Sequence, residues 1–402
     1  MIVSIILLSG FVVVVVLQHF KMKLSYAMLI TSCYIGALLG LKPRDFLISI
    51  RNVITTVSIL KILGIIVLIM SMAVILRESG SLDKLILSAT SLIKYPRVLL
   101  ILIPAVIGML PMPGGAMFSA PIVEKASSKY GVTREKQMIV NYWFRHIMEF
   151  SWPLYVSLIM ESALLGVKLN RIISYQVIFT VVALILGIIF ILIPVKIDKP
   201  STEMDTSVMK SSKALYLFLK SLWPIIAVIT LTLVFKTDLF WTLLAIDIFA
   251  ILYYKRPISD MLEGFKLDTI LLIISVFFFK NILESSGALN RVPLELETLH
   301  LPPYFILFLI PFLGGLLMGV TQASVGMSFP ILMPIITSYH SLLPTAAFVL
   351  VSGVVGVLFS PAHFCLNLTK DYFNVSLSRV YGYLWKPLGL VLLFSFGMMM
   401  IS

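Results

Sequence analysis

Charge is scarce in this sequence. Asp, Glu, Lys and Arg make up 12% of its 402 residues, against 59% that are hydrophobic. A soluble domain carries about 25% charged residues. A chain so composed cannot cover itself in water, and its mean hydropathy of +1.05 says the same. Cysteine is nearly absent too. Cys33 and Cys365 lie in or near apolar runs, and neither a disulfide framework nor a metal cluster is expected of them. HExxH, P-loop and Gly-x-Ser-x-Gly patterns are missing, so an enzyme is not expected. No polar stretch is long enough for a nucleotide-binding domain, which argues against a self-contained ATP-driven pump. The alternation of a membrane β-barrel, in segments of about ten residues, is missing as well.

What is there is long apolar runs. The bilayer is then the solvent, and the spanning elements are helices whose backbone groups bond internally. Runs of spanning length fall near 2–18, 24–41, 59–77, 134–165 and 171–195, and again near 216–236, 238–254, 268–284, 344–367 and 378–400. The first run lacks a basic leader and is followed by Lys21 and Lys23, so it reads as a retained helix rather than a signal peptide. Run 134–165 is interrupted by Glu149, Ser151 and Pro153, and run 344–367 by Ser360 and Pro361. Two further apolar stretches, 95–130 and 303–337, are broken in the middle by Pro, Gly and small polar residues, which suits re-entrant hairpins. Segments 45–58 and 256–266 mix charge with apolar residues and suit the interface.

The two sets are related. Ile75-Leu76-Arg77-Glu78-Ser79-Gly80-Ser81-Leu82 matches Ile282-Leu283-Glu284-Ser285-Ser286-Gly287-Ala288-Leu289. In the same register Pro96 meets Pro303, Pro104 meets Pro311 and Gly108 meets Gly315. After a two-residue insertion, Ser119 and Pro121 meet Ser328 and Pro330, and Phe150-Ser151 meets Phe359-Ser360. Shared hydrophobicity explains Ile and Leu matches but not Pro, Gly and Ser matches in one register. The expected architecture is an all-α polytopic membrane protein. It has a first repeat at 1–197, a linker at 198–215 and a second repeat at 216–402, each repeat holding five spanning helices and one hairpin. An odd number of spans turns the second copy upside down, giving an inverted repeat.

The net charge of +12 sits in short loops, where it reads as an orientation signal rather than as a nucleic-acid patch. Lys21, Lys23, Arg77, Lys125, Arg134, Lys136, Lys196, Lys255, Arg256, Lys266, Lys370 and Arg379 fall opposite the N-terminus, with others. The N-terminal side holds fewer, among them Lys42, Arg51, Lys61, Lys236 and Arg291. The bias puts both termini outside a cell membrane and the linker in the cytoplasm. The first hairpin then opens from the cytoplasm and the second from outside.

Four places carry chemistry. The first hairpin tip holds Pro113, Gly114, Gly115 and Ser119, where missing donors and permissive dihedrals leave backbone groups for a ligand. The second tip holds Thr321, Gln322, Ser324 and Ser328, hard oxygen ligands suited to sodium or to hydrogen-bonding a carboxylate. Small-residue helix packing uses the same residue types. The first break holds Arg145, His146, Glu149 and Ser151. Ionisable groups in an apolar helix are costly and face a cavity or a partner. Arg145 and Glu149 share a helical face and can form a structural pair. Alternatively, Arg145 takes a substrate carboxylate while His146 or Glu149 takes protons. The second break supplies Ser360, His363 and Asn367, and a lone histidine of this kind also occurs as a structural residue. Asp247 and Glu161 stand apart from these places.

At these tips and breaks the chain resembles, over nearly its whole length, the membrane family catalogued as domain of unknown function 401, grouped with the ion-transporter superfamily. Leu110-Pro111-Met112-Pro113-Gly114-Gly115 is similar to a Pro-Pro-His-Pro-Gly-type motif of gluconate permeases, with Met112 where those carry His. Thr321-Gln322-Ala323-Ser324-Val325 resembles their hydroxyl-rich counterpart, but the Ser-Asn-Thr motif of divalent-anion/sodium symporters is missing. The resemblance implies a scaffold, a mobile transport domain with two opposed hairpins and two broken helices, and a homodimer. Substrate identity does not carry over. The expectation is a secondary transporter of a small solute, an organic anion first, coupled to sodium or protons and without a cofactor beyond a sodium ion. The rivals are a sodium/proton antiporter, an intramembrane enzyme pairing His146 with Ser360 or His363 with Glu149, and a non-transporting subunit.

Overall fold

The computed structural model describes residues 2–93, 95–110, 115–195, 211–291, 295, 301–338 and 341–402. Among them there are helices and no strand. Five helical stretches are long and apolar enough to cross a bilayer: Val57–Glu78, Leu169–Leu192, Ser211–Val234, Leu377–Ile401 and Leu342–Phe373, the last interrupted at 360–363. Shorter apolar helices include Val3–His19, Leu24–Leu38 and Leu239–Tyr254.

The stretch 95–130 folds as two helices, Pro96–Gly108 and Ala116–Ser127, packed on each other. The stretch 303–337 folds likewise, as Pro303–Met318 and Thr321–Ser338. Pro96 and Pro303 open their helices at the first turn, where a missing N–H costs nothing. The first tip, including Pro113 and Gly114, lies outside the described residues. The second tip is shorter than expected. Gly319 and Val320 alone separate the two helices, so Ser324 and Ser328 are helical. The linker falls mostly outside the described residues, and its end from Ser211 is already helix.

Both predicted breaks are present. Run 134–165 splits into Arg134–His146, a tight turn over Ile147–Phe150, and Val156–Leu165. Pro153 accounts for this, since it removes a backbone donor and disfavours helix at the residue before it. Run 344–367 splits into Leu342–Phe359 and Phe364–Phe373, with Pro361 in the gap. The mixed segments are the helices Pro43–Thr55 and Ser259–Glu263. One helix, Ser81–Leu92, was not expected.

Packing crosses between the halves. Helix Leu24–Leu38 packs on Leu267–Ser285, and Leu239–Tyr254 on Val57–Glu78. The second hairpin arm Thr321–Ser338 lies on Val156–Leu165, and Ala116–Ser127 lies on Phe364–Phe373. Within each half, Pro96–Gly108 packs on Arg134–His146 and Pro303–Met318 on Leu342–Phe359. Both of these crossings rest on a glycine. A Cβ at Gly108 would stand 2.2 Å from the Arg145 carbonyl oxygen, and one at Gly315 2.2 Å from that of Gly353. Close backbone approach through small residues is how helices associate in lipid, where no hydrophobic drive acts between them.

Candidate functional site

The two breaks meet, and each is tied to the end of a hairpin helix. Tyr155 donates its hydroxyl to the Gly108 carbonyl at 2.8 Å, and Trp152 its indole N–H to the Met109 carbonyl at 2.8 Å. These bonds satisfy carbonyls left over where Pro96–Gly108 stops. In the other half His363 Nδ1 lies 2.8 Å from the Gly319 carbonyl, just past Pro303–Met318. Gly319 turns there with φ of +66°, and a Cβ on it would meet the His363 backbone nitrogen at 2.8 Å. The position requires glycine on both counts. Tyr142 links the halves by donating to the Leu358 carbonyl at 3.1 Å.

His146 ends the helix Arg134–His146, and its Nδ1 is 2.5 Å from the Tyr142 carbonyl. A carbonyl only accepts, so Nδ1 carries the hydrogen in both rings and Nε2 is left for other partners. The two Nε2 atoms face each other at 3.1 Å. Arg145 Nη1 lies 3.5 Å from His146 Nε2, and a Glu149 oxygen 3.9 Å from it. The other Glu149 oxygen accepts from Thr321 at 2.7 Å. Cys365 stands two residues past His363, and one ligand atom from each of His146, His363 and Cys365 lies within 4.8 Å of the others. Arg145, His146, Glu149, Thr321 and His363 are all buried.

These groups line a cavity of about 200 Å³, together with Gln322, Tyr155, Gly319, Val320 and Cys365. Met70 and Thr269 reach it from the helices Val57–Glu78 and Leu267–Ser285. Its volume is below the range of about 300–1,000 Å³ of drug-sized pockets. It suits a solute of a few heavy atoms.

Of the residues expected from sequence, Arg145, His146, Glu149, Thr321, Gln322 and His363 converge here. The other described ones lie outside this lining. Ser119 bonds the Ala116 carbonyl, Ser324 that of Pro311 and Ser328 that of Ser324. Ser151 pairs with Thr180, which itself donates to the Ile147 carbonyl. Ser360 accepts from the Ala362 N–H, and Asn367 donates to the Pro361 carbonyl. Gly115 leads into the helix Ala116–Ser127, away from the cavity lining. Tyr155 and Cys365 were not singled out from sequence. Both lie two residues beyond a selected break residue, Pro153 or His363.

A family profile described as "Protein of unknown function (DUF401)" matches residues 3–401. No curated protein matches the chain.

Proposed function

We propose that this chain, which belongs to the DUF401 family of proteins of unknown function, is a secondary active transporter of a small organic anion, working by alternating access on a sodium or proton gradient. The observation that carries this is the cavity at the meeting of two interrupted helices and a hairpin, with the buried Arg145 in its lining. Ionisable groups inside an apolar helical bundle mark solute and ion pathways. Unwound backbone at the same depth is tolerated where it lines such a cavity.

The inverted repeat belongs to this reading, and the packing supports it. By their order in each half, Leu24–Leu38 corresponds to Leu239–Tyr254 and Val57–Glu78 to Leu267–Ser285. The contact of Leu24–Leu38 with Leu267–Ser285 then has its mate in that of Leu239–Tyr254 with Val57–Glu78. The crossed hairpin contacts pair off the same way. Two matching halves around one central site are the geometry in which rocking of one bundle against another exposes the site alternately.

The test is uptake by vesicles holding the purified protein, across a panel of small mono- and dicarboxylates, with sodium and proton gradients imposed separately. Uptake of at least one carboxylate that collapses with its gradient is expected. Arg145→Gln should lower it roughly tenfold to a hundredfold, the worth of a hydrogen bond to a charged group, and Arg145→Lys should keep more of it. Wild-type uptake in Arg145→Gln would remove Arg145 from the reading. Sodium-driven proton efflux with no carboxylate uptake would replace the reading with the antiporter.

A further inference from the structure

The neutral forms of His146 and His363 do not explain their own arrangement. Each ring has its Nδ1 hydrogen fixed on a backbone carbonyl, Tyr142 at 2.5 Å and Gly319 at 2.8 Å. Each therefore presents an Nε2 lone pair, and the two lone pairs point at one another across 3.1 Å. Such a pair calls for a positive charge in or beside the gap. Arg145 Nη1, at 3.5 Å from His146 Nε2, approaches one side of it.

We propose that His146 Nε2, His363 Nε2 and Cys365 Sγ form a binding site for a borderline-soft divalent metal ion of the zinc or cobalt class, with a Glu149 oxygen as the fourth donor. Four features agree on this. On a tetrahedral ion with metal–nitrogen bonds of about 2.0–2.1 Å, two nitrogens lie about 3.3–3.4 Å apart, close to the 3.1 Å found. Histidines that ligate metals are held by a bond from the other ring nitrogen to a carbonyl or carboxylate, as both are here. The donors, two imidazoles and a thiol, select this class over magnesium, calcium or sodium. Cys365 stands in the first turn of Phe364–Phe373, where the helix dipole favours an anionic ligand. The two nitrogens and the sulfur lie within 4.8 Å of one another, and the Glu149 oxygen lies 3.9 Å from His146 Nε2. A thiolate and the Glu149 carboxylate together balance the ion's charge. The metal site does not depend on transport.

Arg145 is the competing cation. Metal entry requires it to give up its contact with His146, so Arg145→Gln should tighten metal binding while His363→Ala and Cys365→Ser weaken it.

The experiment is a cobalt(II) titration of the purified full-length protein in detergent with a phosphine reductant. The readouts are the tetrahedral ligand-field bands and the thiolate-to-cobalt charge-transfer absorption. One ion per chain is expected, displaced by zinc. His363→Ala and Cys365→Ser should each lose about 10–100-fold or more in affinity, and Cys365→Ser should also lose the charge-transfer absorption. Size-exclusion profiles and melting temperatures show whether each variant is folded. Arg145→Gln serves as the gain-of-affinity arm, which a misfolded protein would not show. No cobalt spectrum in the wild type at millimolar concentration, as a proton shared between the two rings would give, overturns the proposal. So does a spectrum unchanged in folded Cys365→Ser and His363→Ala. Carboxylate uptake is measured in separate vesicles with and without chelator, so failure of metal binding and failure of the transport reading are told apart.

Discussion

The Thr321 hydroxyl donates to Glu149 at 2.7 Å from the first turn of the helix Thr321–Ser338, and both groups are buried. Thr321→Val keeps the shape of the side chain and strands a carboxylate oxygen, which costs about 1–3 kcal/mol. The variant should melt several degrees lower than the wild type in detergent, and Thr321→Ser should recover most of the loss. Equal melting of Thr321→Val and the wild type would mean that water or another donor replaces the hydroxyl. At this scale the site was legible wherever a residue type is costly in an apolar helix. Arg145, His146, Glu149 and His363 stood out for that reason. Hydroxyls did not discriminate, because a serine inside a helix can bond a carbonyl of the preceding turn, as Ser328 does with Ser324 and Ser119 with Ala116. Cys365 was passed over because a lone cysteine among Phe364, Leu366 and Leu368 reads as a small hydrophobe. Its partners come from the fold, which brings His146 beside His363 from the other half of the chain.

Among elements, the crossings at Gly108 and Gly315 set how closely hairpin and broken helix approach. Gly108 touches the carbonyl of Arg145, one residue before His146, so any displacement there reaches the site. Gly108→Ala and Gly315→Ala should each destabilise the protein by about 1–3 kcal/mol, the usual cost of overpacking, and Gly108→Ala should also weaken whatever the cavity binds. Gly397 is the control. It lies in the helix Leu377–Ile401 with nothing within 4 Å of an added Cβ. Alanine there should be neutral or stabilise by up to about 1 kcal/mol. If the three variants melt alike, the crossings are not tight. The sequence was a good guide to apolar helices and to breaks carrying proline, since both follow from local chemistry, but among the described residues five helices, not ten, reach spanning length. It missed Ser81–Leu92, which is too short to span and carries Asp83 and Lys84 in its first turn. It also extended the second tip too far. The small residues past Gly319 suggested loop, yet Gly326 is there for packing, with a Cβ position 2.3 Å from Val276. Composition alone cannot separate a loop from a close helix contact.

For the whole molecule, the question is which way each half faces the bilayer. The loop charges assign one side to the termini and the other to the linker, and the long-range polar contacts show which of those loops lie together in the fold. Lys23 pairs with Asp268 at 2.9 Å and Arg77 with Glu263 at 2.9 Å, both joining loops assigned to the cytoplasm. Tyr372 donates to Glu124, Lys136 to the Pro194 carbonyl, and Arg379 pairs with Glu135, again between loops assigned to the cytoplasm. On the other side Lys61 pairs with Asp238. There too Glu295 accepts from the Val3 and Ser4 backbone N–H groups. Partial burial pushes the Glu295 carboxyl up, but its hydrogen bonds, these two among them, prevail and hold it down at about 2. The C-terminal residue joins the same side by accepting from Ser341. In each of these contacts both partners come from loops that the charge count gives the same side. The proposed inverted arrangement predicts a specific pattern for reporters inserted in loops. Alkaline phosphatase, active only outside the cytoplasm, should be active when placed after Ser402 or near Lys236, and inactive in the 198–210 linker or near Arg256. A cytoplasm-active fluorescent protein should give the reverse pattern. Activity at the C-terminus and in the linker together would place both on one side, turn the second half over, and leave two parallel copies in place of the inverted pair that the alternating-access reading requires.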